Sequence, residues 1–205
     1  SIGSELVRQI GRYEPGTVAL VDFSEFNLYL VEIECRERLK GTDVRAYLVD
    51  LVDLKRTRRV FDDFRPDVIF HAAAYKHVPM QEVNPWEAVF NNVLSMRHLV
   101  RCAVEGGVEK FVLVSTDKAV RPTNVMGATK RVCEMIASCA NLNRDSAHLI
   151  PIYPTKRTRF MSVRFGNVLG SSGSVIPLFQ HQIDHGGPVT VTHPEVVRYF
   201  MSIPE

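Results

Sequence analysis

The sequence predicts an α/β fold, a Rossmann-like doubly wound parallel sheet, on three observations. Short β-branched and apolar runs recur along the chain, and longer amphipathic stretches alternate with them. Acids, alanines or small polar residues stand where the apolar runs end. Strands that alternate with helices lie parallel, because each helix carries the chain back across the sheet. Ligand sites in such sheets gather beyond the carboxyl ends of the strands.

The opening SIGSELVRQI reads as the end of a glycine-rich turn already entering a helix, with Gly3 and Ser4 at its start. A dinucleotide-binding unit begins with an apolar strand feeding such a turn, so the first strand and earlier glycines are expected to be missing. Thr17 to Phe23, TVALVDF, is the first strand present and ends in Asp22. Helical patterning follows near 24–40, then AYLV ahead of Asp50, then a helix near 53–65. DVIFHAAA from Asp67, KFVLVST from Lys110 and RFMSVRFG from Arg159 repeat the strand pattern, with helices near 85–105 and 124–143 between them. The polar stretch 142–159 reads as a long surface connection. The stop at Glu205 is expected to truncate the fold at its other end as well.

A chain of 205 residues, 45% hydrophobic and 23% charged, can bury the core of one globular domain. Its formal charge of +2 lacks the field of a nucleic-acid binder. Cys35, Cys102, Cys133 and Cys139 have no CxxC spacing and no adjoining histidine pair, so they read as reduced core thiols and no metal is expected. No apolar run approaches the roughly 20 residues of a membrane helix.

Candidate site residues cluster at the strand ends. Asp22 stands where a carboxylate accepts hydrogen bonds from an adenosine ribose, which favours NAD; Ser24 or a nearby arginine leaves NADP open. Taken alone, Asp22 is equally an acid that ends a strand and caps the segment after it. Ala72, Ala73 and Ala74 leave room for a close approach of the chain to a dinucleotide, or simply pack a strand end. Lys76 and His77 then bring polar groups to the mouth of the cleft, and Glu82 either faces a ligand or starts a solvated helix. Asp117 and Lys118 set a carboxyl beside an amine, a pair that can divide acid and base roles. Ser115 and Thr116 precede them, and Lys130 follows Met126 by one helical turn. The Gly/Ser run after Asn167 could cradle an anion with its amides.

The stretch STDKAVRPTNVMGATKR is similar to the active-site region of the short-chain dehydrogenase/reductases, in which a Tyr and a Lys one turn later form a proton-transfer pair beside a nicotinamide. Met126 occupies the place of that Tyr. A thioether neither gives nor takes a proton at neutral pH, so base chemistry falls to neighbours such as Asp117 and Lys118. With HAAAYKHVPMQE upstream and RFGNVLGSSGSVIPLF downstream, the chain resembles the bacterial UDP-N-acetylglucosamine 4,6-dehydratases of the polysaccharide-biosynthesis group. It looks most like their long, membrane-anchored branch, in which Met replaces Tyr.

The resemblance implies an extended short-chain fold, with residues 1–170 as the NAD(P)-binding domain and 171–205 as the start of the nucleotide-sugar-binding part. It implies tightly held NAD and UDP-N-acetylglucosamine as substrate. The expected reaction oxidises carbon 4, removes the carbon-5 proton, expels the carbon-6 hydroxyl and returns the hydride to carbon 6. Lys118 would take the carbon-5 proton and Asp117 would serve the departing hydroxyl, with Thr116 or Ser115 orienting the carbon-4 hydroxyl. Asp117 or an ordered water would take the proton of that hydroxyl. Lys130 would hold the cofactor ribose, Asp50 the adenine, and an asparagine, Asn91 or Asn92, the backbone near that lysine. Phe165, Gly166 and Val168 would line the nicotinamide, while Asn167, Ser174, Val175 and Arg198 would join His77 and Glu82 around the nucleotide-sugar. A homo-oligomer built on the helices near 85–105 and 124–140 is expected, at the cytoplasmic face of a membrane that anchors a longer parent, or free in the cytoplasm. A 5-inverting dehydratase, a UDP-sugar epimerase, a non-catalytic dinucleotide sensor and an inactive fragment remain as alternatives.

Overall fold

The structure, a computed structural model, describes residues 1–142, 158–169, 175–191, 193–195 and 197–202. Helix α1 (Ile2–Gly11) leads into strand β1 (Thr17–Asp22), α2 (Glu25–Arg38), β2 (Asp43–Leu48), α3 (Leu54–Phe64) and β3 (Val68–His71). Next come α4 (Val78–Val83), α5 (Pro85–Ala88), a π-helical turn over Val89–Leu94, and α6 (Ser95–Gly106). Strand β4 (Lys110–Thr116) runs into a 3-10 turn, Asp117–Ala119, and α7 (Val125–Leu142) follows. The remaining elements are β5 (Arg159–Phe165), β6 (Asn167–Val168), α8 (Val175–Asp184) and β7 (Phe200–Met201).

Every strand pairing is parallel, in the groups β1-β2, β3-β4-β5 and β6-β7. Laid out as β2-β1 and β3-β4-β5, the two larger groups are the halves of a doubly wound order, and no described strand lies between β1 and β3. The Rossmann-like α/β class read from the alternation is therefore the observed one. Residues 200–201, expected within the second part of the chain, return to pair with β6 directly after β5.

Alternation along β4 turns Phe111 and Leu113 toward a core that also holds Phe61 of α3, Met96, Leu99 and Ala103 of α6, Cys133 and Ala137 of α7, and Phe160 of β5. Replacing one of its large buried side chains with alanine costs about 3–5 kcal/mol, which makes this half the anchor of the fold. A smaller core of Leu20, Leu28, Cys35 and Val44 joins α2 to β1 and β2. Three cysteines are buried as expected; Cys139 is exposed, because it falls on the outer side of α7. The connection expected over 142–159 lies outside the described residues except at its ends. Among the described residues no helix is long and apolar enough to cross a membrane, and no cluster of three or more metal-ligating side chains forms.

Candidate active site

The carboxyl end of β4 delivers Thr116 in extended conformation to the turn that carries Asp117 and Lys118. Thr116 Oγ1 donates to Asp117 Oδ1 at 3.0 Å and accepts the Lys118 backbone N–H at 3.4 Å. Lys118 Nζ donates to the same Asp117 oxygen at 2.9 Å and to Asn167 Oδ1 at 3.2 Å. Burial works to raise the Asp117 carboxyl, but the hydrogen bonds from Lys118 and Thr116 outweigh it and hold the group below its ordinary range. The result is an ionised, half-buried carboxylate paired with an amine beyond a strand end.

Helix α7 packs against this turn at Gly127. A Cβ there would stand 2.3 Å from the Lys118 carbonyl oxygen, so only glycine permits the approach. Asn124 Oδ1 accepts the Gly127 N–H at 2.7 Å and steadies the start of the helix. Glu82, expected at the nucleotide-sugar, accepts the Val125 N–H at 2.7 Å through one carboxylate oxygen and so caps α7 from α4.

Met126 and Lys130 lie one turn apart on α7, and both are buried, at 4% and 5% exposure. Lys130 forms no hydrogen bond or ion pair among the described residues, and burial pushes its ammonium down from its ordinary value. His71, at the end of β3, is buried beside it and driven down to about 3 by burial and by the Lys130 charge. A neutral His71 at the end of β3 therefore lies within the field of Lys130 on α7.

The loop after His71 is held by one of the two asparagines named from the sequence. Asn92, fully buried in the π-helical turn, accepts the Tyr75 N–H at 2.8 Å and donates to the Tyr75 carbonyl at 3.1 Å. It also donates to Thr129 Oγ1 on α7 at 3.0 Å. Asn91, the other candidate, supplies its backbone carbonyl to Ser95 Oγ. The extra residue of a π turn shifts the helix register and sends Asn92 inward.

Ser115 faces the helix side of β4, where its hydroxyl donates to Glu134 Oε1 at 2.7 Å. That bond engages the Ser115 hydroxyl, and Thr116 carries the hydroxyl at the turn. Sequence reasoning missed Glu134 itself. Arg164 donates to both of its oxygens, at 2.8 and 2.7 Å, and Arg131 adds a third charged contact at 3.0 Å. Burial acts to raise this carboxyl, yet hydrogen bonds from Arg164, Ser115 and Arg131 bring it to about 2. The only signal in the sequence is an acid four residues after Lys130, on the buried stripe of α7.

Other expected positions are spread around this centre. Asp22 Oδ1 accepts the Ser24 N–H at 2.8 Å, and Ser24 caps α2. The exposed Asp50 accepts the Val52 N–H at 3.0 Å, a turn contact that accounts for an acid after a strand. Gly3 and Ser4 start α1, where Ser1 Oγ accepts the Ser4 N–H at 3.2 Å. Ala72 and Ala74 are half-buried; Ala73, Lys76 and His77 are exposed. Gly166 lies so close to the chain that a Cβ would stand 2.7 Å from the Tyr199 carbonyl oxygen, between a half-buried Phe165 and a buried Val168. Val175 opens α8, Arg198 is exposed, and Ser174 lies outside the described residues.

A doubly wound sheet with a buried lysine on the helix after β4 has the architecture of the extended short-chain dehydrogenase/reductases. The chain belongs to the polysaccharide biosynthesis protein family, whose model matches residues 1–205. It is 47% identical over 207 residues to the capsular polysaccharide biosynthesis protein CapD of Staphylococcus aureus, covering 100% of this chain and 33% of CapD. It is 37% identical to a UDP-glucose 4-epimerase of Rickettsia prowazekii, over 83% of this chain and 47% of that protein. Similarity to the inverting UDP-N-acetylglucosamine 4,6-dehydratase of Campylobacter jejuni is 32%, over 93% of this chain and 53% of the relative. Among solved structures, Pen from Bacillus thuringiensis superposes with a TM-score of 0.86 at 34% identity, over 98% of this chain and 58% of Pen. DesIV, a dTDP-glucose 4,6-dehydratase from Streptomyces venezuelae solved with NAD bound, shares the fold at a TM-score of 0.76 and 22% identity, over 98% of this chain and 65% of DesIV. The chain thus spans about a third of CapD and about half of the other two sequence relatives.

Proposed function

We propose that this chain forms the dinucleotide-binding and catalytic part of a nucleotide-sugar 4,6-dehydratase that uses NAD and converts UDP-N-acetylglucosamine to a UDP-4-keto-6-deoxy sugar for bacterial glycan synthesis. The observation that carries the reading is the Asp117–Lys118 ion pair beyond β4, beside a helix that offers Met126 where a proton-transferring side chain would otherwise stand. Elimination of water needs an acid and a base, and the turn holds both.

The residues present fit a dinucleotide. Lys130 is a buried residue whose ammonium has no hydrogen bond among the described residues, Ala72 to Ala74 leave space at the end of β3, and Asp22 has a carboxylate oxygen beyond the one bonded to Ser24. Lys130 would hold the nicotinamide ribose, and Asp22 the adenosine ribose. NAD, when bound, supplies the reversible removal of a hydride from the sugar. Thr116 Oγ1 hydrogen-bonds the carbon-4 hydroxyl and passes its proton to Asp117 along the 3.0 Å bond already formed. Protonated Asp117 no longer sets a charge against Lys118, whose ammonium then releases a proton to water; the neutral amine so formed accepts the carbon-5 proton. Asp117 gives its own proton to the carbon-6 hydroxyl as it leaves as water, and Lys118 returns a proton to carbon 5.

The epimerase relative supports a second reading, in which carbon 4 is oxidised and reduced again with no loss of water. Proton NMR of the full-length protein with UDP-N-acetylglucosamine and NAD in deuterated water separates the two. A 4-keto-6-deoxy product with deuterium at carbon 5 is expected, its couplings reporting retention or inversion; a carbon-4 epimer without deuterium would establish epimerisation. Bound NAD with no turnover would establish a sensor. The exposed Met80, Val83, Trp86, Phe90 and Met135 on α4 to α7 fit a homo-oligomer, so Trp86→Glu is expected to lower the sedimenting mass.

A further inference from the structure

We infer that Asn167 is a positioning residue for Lys118, the neutral acceptor that keeps the amine aimed once Asp117 has taken up a proton. The inference rests on the dehydratase reading above and deepens it. Lys118 Nζ sits in a fork of two acceptors from different parts of the chain: Asp117 Oδ1 at 2.9 Å from its own turn, and Asn167 Oδ1 at 3.2 Å from β6, 49 residues away. The two acceptors differ in charge, and that difference matters during a proton transfer. A carboxylate favours the ammonium. An amide oxygen holds ammonium and amine alike through one N–H, and with no net charge it opposes loss of the proton less than a carboxylate does.

The backbone around Asn167 is built to hold it still. Its N–H donates to the Tyr199 carbonyl at 2.8 Å, and Asn167 and Val168 pair in parallel with Phe200 and Met201. The preceding Gly166 lets the two segments close, since a Cβ there would lie 2.7 Å from the same carbonyl. Residues 199–201 thus fix β6, β6 fixes the amide, and the amide fixes the lysine. With one N–H held by Asn167 and Asp117 turned to the carbon-6 hydroxyl, the Lys118 amine stays anchored while its lone pair is left for carbon 5. This assignment competes with the diphosphate contact expected for Asn167 from its place before a Gly/Ser run.

The test uses the full-length protein with NAD and UDP-N-acetylglucosamine, comparing Asn167→Leu and Asn167→Asp with wild type by three readouts. These are deuterium entry at carbon 5, absorbance of reduced bound cofactor, and the affinity for UDP. Asn167→Leu removes the acceptor at similar size and is expected to slow deuterium entry by about tenfold or more, with cofactor reduction and UDP affinity within about twofold of wild type. Asn167→Asp keeps the hydrogen bond but adds a charge that favours the ammonium, so the acid limb of the exchange profile is expected to move to higher pH. Weakened UDP binding with unchanged exchange at saturating substrate would overturn the inference and return Asn167 to the diphosphate. If Asn167→Leu does not fold, judged by circular dichroism, Asn167→Asp decides: an unshifted profile overturns the inference. Wild-type protein that makes no 4-keto product overturns the dehydratase reading along with it, whereas wild-type turnover with normal exchange in the variants overturns the role of Asn167 alone.

Discussion

Two carboxylates stand beside helix α7, and they are built for opposite purposes. Asp117 lies in a turn beyond β4, about a third exposed, with one amine and one hydroxyl on a single oxygen. Glu134 is inside, at 4% exposure, with both oxygens engaged by Arg164 and further donors from Ser115 and Arg131. A partly exposed carboxylate held by one cation can accept a proton and give it up again. One gripped by two guanidinium groups stays ionised and ties β4, β5 and α7 together. The difference shows how this fold sets a reactive acid within a few residues of a fixed one: strand alternation turns Ser115 inward to the clamp and Thr116 outward to the turn.

The contrast between the two acids breaks most sharply at the turn. Lys118→Ala or Asp117→Asn is expected to lower turnover by about 10²–10⁴-fold. Lys118→Ala should also abolish deuterium entry at carbon 5 while NAD stays bound, and exchange at the wild-type rate would remove Lys118 as the base. Glu134 should answer in stability instead. Glu134→Ala leaves two arginines and a serine without their acceptor and is expected to cost about 2–3 kcal/mol in urea unfolding. That is less than the ~3–5 kcal/mol for breaking a fully buried pair, because both arginines reach water. Turnover of the folded fraction should change little.

Acid sharpens the same contrast. The folded value of Glu134, about 2, lies below its ordinary 4.5, so its contribution is fully present above about pH 4.5 and is lost as pH falls toward 2. The wild-type unfolding midpoint should therefore drop over that window more steeply than that of Glu134→Gln. Parallel curves for the two proteins would show that the clamp does not control acid stability.

How much of this the sequence disclosed depended on distance along the chain. The strands were legible because TVALVD, VIFH and KFVLVST are built on β-branched or apolar runs and RFMSVRF carries Phe, Met and Val between polar residues, and Asp117 and Lys118 were legible because they are neighbours. Helix α8 was hidden by Pro177 and by the Gly/Ser run before it, and α4 by its six-residue length. The π turn inserts a register shift that composition does not encode, so the inward asparagine could not be chosen between Asn91 and Asn92. Glu134 with Arg164, and Lys118 with Asn167, are contacts across 30 and 49 residues that only the sheet brings together. Read locally, Glu134 is one more helix acid.

The smallest expected effect tests whether the turn is as rigid as the clamp beneath it. Gly127→Ala would set a methyl 2.3 Å from the Lys118 carbonyl oxygen, and backbone cannot rotate away as a side chain can. Either α7 backs off, straining the Asn92–Thr129 and Ser115–Glu134 bonds, or the turn moves and carries Asp117 and Lys118 with it. The Glu134 clamp holds α7 to β4 and β5 at three points of contact, whereas the turn is held by Thr116, Asn167 and the helix itself. The turn should therefore yield, at about 1–2 kcal/mol of stability. The sign of that yielding is readable in kinetics: kcat falls several-fold while UDP affinity is retained, because the acid and base shift and the nucleotide contacts do not. A variant that loses stability with kcat intact would show the helix moving instead, and would make Glu134 the softer of the two supports.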